Sequence, residues 1–134
     1  GAAVAWAAGG LKSTLETFTQ AADGVSSCTP QTLTGAGFAP KAAIIVASDG
    51  TNAASWGFVD NADGERNMYH NPANGAMDTS KFALSPTMAL NVRNNTSASD
   101  QLYASAELTA CGITFTWNKS NSGVDVGGYI LYLG

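Results

Sequence analysis

Apolar residues recur at every second position through much of this chain, and a period of two belongs to strands, not helices. Within residues 113–117, Ile113, Phe115 and Trp117 share one face and Thr114 and Thr116 the other. Residues 87–92 set Met88, Leu90 and Val92 against Thr87, Ala89 and Asn91. Residues 128–133 set Tyr129, Leu131 and Leu133 against Ile130 and Tyr132. Residues 14–20 are rich in Thr, and 55–60 and 102–108 also have strand composition. Residues 42–47, Ala-Ala-Ile-Ile-Val-Ala, form an unbroken apolar run, as in a strand covered on both faces. Turn signals lie between these runs: Asp49-Gly50, Asp63-Gly64, Asn71-Pro72-Ala73-Asn74-Gly75 and the polar stretch 94–99. The pattern predicts an all-β chain, an antiparallel β-sandwich of jelly-roll-like character with about eight short strands. Any helix would be a short one, in residues 76–84.

No break in composition divides the chain, so residues 12–134 are expected to form a single β-sandwich domain. Residues 1–11, GAAVAWAAGGL, are small and apolar around one large side chain. They read as an N-terminal arm whose Ala2, Val4, Trp6 and Leu11 could lie across a neighbouring subunit, where Trp6 would supply most of the buried area. A first strand packed on its own domain is the other reading.

Charged residues make up 12% of the 134 residues, about half the usual share. Ser, Thr, Asn and the backbone must therefore supply most of the polar surface, as in rigid extracellular or virion proteins. The net charge is −4, and Lys12, Lys41, Arg66, Lys81, Arg93 and Lys119 stand singly. A phosphate backbone is bound by clustered cations, so nucleic acid is not an expected partner. The apolar stretch at residues 2–8 is far short of the roughly 20 residues that cross a bilayer. It also lacks a basic leader, so membrane insertion is not expected.

Catalytic constellations are sparse. His70 is the one histidine, and no cysteine stands close to it in sequence, as a zinc site would require. No Gly-x-Ser-x-Gly elbow accompanies it, so a surface or loop histidine is the preferred reading over a small hydrolase. The segment Asp60-Asn61-Ala62-Asp63-Gly64-Glu65 fails the EF-hand pattern, because its third position is Ala62 and its fifth is Gly64. It reads as a tight turn, although a looser calcium site shared with other loops stays open. No cofactor and no metal are expected. Cys28 and Cys111 could pair, closing most of the chain into one loop worth about 4–5 kcal/mol, or could be two small hydrophobes that never meet. Trp56, Tyr69, Trp117, Tyr129 and Tyr132 are candidate platforms for a sugar ring, but strand alternation sends Trp117 and Tyr129 inward as core.

Two phrases go further. Thr34-Gly35-Ala36-Gly37-Phe38-Ala39-Pro40-Lys41-Ala42 leads into the apolar run, and Gly128-Tyr129-Ile130-Leu131-Tyr132-Leu133-Gly134 ends the chain. Together they resemble tailed-phage virion proteins, in which a Thr-Gly-x-Gly-Phe-x-Pro-Lys-Ala phrase precedes an apolar strand and the chain ends close to Gly-Tyr-x-x-x-Tyr-Leu-Ala-Leu-Gly. Here that ending is shortened to Tyr-Leu-Gly. The resemblance runs through residues 32–134 and leaves residues 1–11 unmatched. It implies a β-sandwich module of a tail, fibre or capsid-exterior protein and carries over no binding residues. Gly37 would permit a sharp turn, Phe38 would plug the sandwich end and Pro40 would fix the chain as the strand begins.

The expected function is therefore structural and not enzymatic: decoration or cementing of a capsid exterior, or a part of the tail. The expected partners are further copies of the chain, as a homo-oligomer with a trimer favoured, and other virion proteins such as the major capsid or tail protein. The alternative is a host-surface or glycan-binding module of a tail fibre, with its site in the loops around 60–75 and 93–101.

Overall fold

A computed structural model describes residues 10–20, 29–50, 53–73, 76–93, 101–120 and 126–134. They form ten strands: β1 (Ser13–Thr19), β2 (Thr29–Leu33), β3 (Ala42–Ser48), β4 (Ala54–Asp60), β5 (Gly64–Ala73), β6 (Ala76–Ser85), β7 (Leu90–Arg93), β8 (Gln101–Leu108), β9 (Ile113–Ser120) and β10 (Gly127–Leu133). Two antiparallel sheets pack together, one of six strands in the order β1-β10-β3-β4-β5-β6 and one of four in the order β2-β9-β8-β7. The sandwich expected from the alternation is present, with ten strands in place of about eight.

The core lies where the inward parities of both sheets meet. Ile45, Ile130 and Tyr132 come from the large sheet, and Leu90, Leu102, Ile113, Phe115 and Trp117 from the small one. Phe18, Phe115 and Trp117 form a ring cluster, with centroids 5.1 Å apart for Phe115–Trp117 and 5.2 Å for Phe18–Phe115. Each such pair adds ~0.5–1.5 kcal/mol beyond its area. Trp117 is 1% exposed, and its indole N–H donates to Gln31 Oε1 at 2.9 Å. Gln31 Nε2 in turn donates to the Thr19 carbonyl at 2.8 Å. A polar bridge thus joins the two sheets beside the aromatic cluster.

Four expectations need correction. Residues 76–84 are not a helix: β6 pairs with β5, Leu84 opposite Met68 and Ala83 opposite Tyr69. Helix-forming residues in so short a segment cannot hold a helix alone, and an open strand edge offers them a ladder. Tyr129 does not point inward. It is 53% exposed, and β10 turns Ile130 and Tyr132 to the core instead. Strand β3 is covered on one face only, with Ala43, Ile45 and Ala47 buried and Ile44 and Val46 half-buried. His70 lies inside β5 and not in a loop ahead of a turn, because the strand runs on to Ala73 with a register shift between Asn71 and Ala73. Pro72, which has no N–H to give a ladder, sits at that shift.

Candidate interaction face

The large sheet turns its second parity outward, and register places those side chains in rows across the strands. One row reads Leu15, Leu131, Ile44, Phe58 and Arg66 from β1 to β5. The next, two residues along, reads Thr17, Tyr129, Val46, Trp56, Met68 and Leu84 from β1 to β6. Nine of these eleven positions are apolar or aromatic, and Arg66 at the end of its row is the one charge. Leu15 is 64%, Phe58 52% and Leu84 80% exposed. Monomeric soluble proteins rarely leave so much contiguous apolar surface in water.

Smaller residues border the rows. Gly127 and Ser48 floor a shallow open groove walled by Thr17, Thr19 and Tyr129. Ala42 lies between Leu133 and Asp60 in a second groove that Asp63 and Arg66 also line. Neither is an enclosed cavity. The outer face of the small sheet differs in kind: its outward positions include Thr32, Thr114, Thr116, Ser105 and Glu107, and Thr32 and Thr114 hydroxyls lie 3.0 Å apart in a hydrogen bond.

The two phrases singled out in the sequence meet at one end of the sandwich. Lys41 N–H donates to the Leu133 carbonyl at 2.8 Å and Ala36 N–H to the Cys111 carbonyl at 3.2 Å. The Phe38 ring lies over Gly134, where an added Cβ would run into the ring edge. Gly37 turns the chain at φ 73° and Pro40 is buried. Gly35 N–H donates to Glu16 Oε2 at 3.1 Å, and the same oxygen accepts the Tyr132 hydroxyl at 2.7 Å. Burial first, and then the Glu16 carboxylate, push the Tyr132 phenol upward. These residues close an end of the fold; they make no cleft.

Between the sheets, Glu65 does the work of a missing strand. Ala106 N–H lies beyond the last β7–β8 pair, Leu90 with Ala104, and donates to Glu65 Oε2 at 2.6 Å. Burial raises the Glu65 carboxyl above its ordinary value, against backbone hydrogen bonds from Ala106 and Ala89 that lower it. Nearby, Tyr69 is buried with the Arg93 guanidinium 5.4 Å from its ring centroid. Tyr69 and Tyr132 are thus packed inside and offer no face to a sugar, as does Trp117; Trp56 and Tyr129 lie on the outer face.

Ala2, Val4, Trp6 and Cys28 lie outside the described residues, and with them the arm and the question of a Cys28–Cys111 pairing. Leu11 is exposed beside the start of β1, and Cys111 is exposed in the turn before β9. Among the described residues no group of three or more His, Cys, Asp or Glu could hold a metal ion. The Asp60–Gly64 segment is the β4–β5 hairpin, with Asp60 Oδ1 accepting from Ala62 N–H at 2.8 Å and Asp63 N–H at 2.5 Å. The alternation had not singled out Leu15, Phe58, Met68 or Leu84. The available signal was that β3 and β10 are apolar in both parities, more than a single core needs. In comparisons with protein-family models, curated proteins and solved structures, the chain matches none.

Proposed function

We propose that this chain is a structural subunit of a tailed-phage virion exterior, decorating or cementing the capsid or forming part of the tail, and that it works through protein–protein contact. The observation that carries the reading is the broad, nearly uncharged outer face of the large sheet. Trp56, Phe58, Met68 and Tyr129 with Arg66 at the margin are the residue types enriched where proteins meet. The virion assignment itself is supported by the resemblance of the phrases at 34–42 and 128–134 to virion modules. Its partners are further copies of the chain and neighbouring virion proteins such as the major capsid or tail protein. Antibody raised against the chain, with immunogold on intact particles from a lysate of the host, tests it: gold on the particle exterior is expected. Particles that carry none, while free protein in the same lysate is recognised, would overturn it.

A second reading, a glycan-binding module of a tail fibre, draws on the groove beside Tyr129, where an exposed ring meets the hydroxyls of Thr17, Thr19 and Ser48. A glycan array with and without calcium checks it, and binding that survives Tyr129→Ala would remove that site.

A further inference from the structure

We propose that two copies of this chain stack the outer faces of their six-stranded sheets against each other, forming a two-fold dimer whose exposed surfaces are the hydroxyl-bearing small sheets. The inference rests on reading the face as a protein-binding surface and names its occupant.

Area is the first argument. Six strands at ~4.8 Å spacing make the face about 24 Å across, and its four outward rows ~7 Å apart, the two apolar ones and the flanking rows through Ala42 and Ser48, bring it to roughly 700 Å². That is close to the ~800 Å² that each partner contributes to a standard stable interface. An open, shallow surface of this size suits a second flat layer, whereas a small molecule is held in an enclosed concavity. Sheets also pack naturally face to face at about 10 Å, as the two sheets inside this sandwich already do.

Charge selects the partner. In a two-fold contact the same patch meets itself, so charges near its centre approach their own kind. On a chain of net charge −4, self-contact is disfavoured wherever acids are exposed, as at Asp63 and Glu107. The rows running through Ile44 and Val46 carry no charge until Arg66, which stands at one end. The adjoining row, through Leu133 and Ala42, ends on Asp60, which lines the same marginal groove as Arg66, so both charges stand at one margin and the centre of the contact buries no unpaired ion. A three-fold ring would instead need two unlike surfaces that match each other, whereas a two-fold contact needs only this one face.

Sedimentation equilibrium of the full chain from about 1 to 100 μM tests the proposal, with dimer mass expected in the upper range for a face of this area. Tyr129→Glu, which stands between Thr17 and Val46 with no cation opposite, places an unpaired carboxylate in the contact twice, so the dissociation constant should rise about 100-fold or more. Leu15→Glu, opposite Leu131, serves as the second variant, with circular dichroism confirming that each is folded. Thr116→Glu, on the opposite sheet, should dimerise as the parent does. A parent that stays monomeric throughout, or dimers unaffected by both face variants, would overturn the inference. Gold-labelled virions together with a monomeric chain would leave the virion reading standing and defeat the dimer alone. A dimer lost on Tyr129→Glu without any particle label would do the reverse.

Discussion

Replacing Gly57 by Ala should be among the most damaging single-methyl additions in the protein. Gly57 lies in the middle of β4 on the inward parity, opposite the segment that leads into β7. A Cβ there would fall on the Ala89 carbonyl oxygen, inside any permitted contact, and stand 2.9 Å from its carbonyl carbon. No flexible side chain can swing away, because the obstacle is backbone. Ala89 N–H donates to the Ala104 carbonyl at 2.9 Å, and the adjacent Met88 carbonyl accepts from Asn67 Nδ2 at 2.7 Å. Moving the Ala89 peptide therefore strains bonds to both sheets. Overpacking of a well-filled core costs about 1–3 kcal/mol, sometimes more, and each weakened hydrogen bond adds about 1 kcal/mol. A loss of about 3–5 kcal/mol is expected, a large part of the ~5–15 kcal/mol that a domain holds. Gly37→Ala is the control: Gly37 has φ 73° but no atom within 4 Å of the added Cβ, so only the left-handed backbone is strained, at about 1–2 kcal/mol. Urea denaturation of the three proteins, read from midpoints at constant slope, gives both values. If Gly57→Ala lost no more than Gly37→Ala, the account of how the sheets approach would be wrong.

Further outcomes follow from the same contacts. Because burial raises the Glu65 carboxyl, its neutral form is favoured in the fold, and its contribution is greatest below the ordinary value of 4.5 and lost as pH rises through the raised one. The stability difference between the parent and Glu65→Gln should fall with rising pH over that mildly acidic range; equal pH slopes in urea melts would refute this. Trp117→Phe should cost roughly 2–4 kcal/mol by removing buried ring volume and the bond to Gln31, and a thermal melt within a degree of the parent would contradict it. Tyr132→Phe, which removes a single hydroxyl from Glu16 while Gly35 N–H remains, should cost about 1 kcal/mol in the same assay.

Much of the sandwich was legible in the sequence because β9 and its neighbour β8 satisfy a simple rule. Thr114 and Thr116 can only face water, so Ile113, Phe115 and Trp117 must face the core. The phrase at 34–42 was legible for a similar reason: Gly37, Phe38 and Pro40 each perform a local task, and the structure finds them at the closed end beside Gly134. Strand β6 was not legible. Its residues favour a helix locally, and the β5 edge that makes them a strand is formed by tertiary pairing.

The outer face of the large sheet shows where sequence alone stops. Both parities of β10 are apolar, Tyr129, Leu131 and Leu133 against Ile130 and Tyr132, so alternation announces a strand without saying which side is in. The choice is made by contacts distant in the chain. Glu16, reaching from β1, offers the Tyr132 hydroxyl an acceptor inside the sandwich, and Tyr129 is left outside in register with Val46 and Thr17. Sequence by itself determined that strands would form and that they carry more apolar surface than one core can bury. Only the tertiary structure decided which half of that surface remains exposed, because a period of two fixes that faces differ and pairing across the sheet fixes which one is covered.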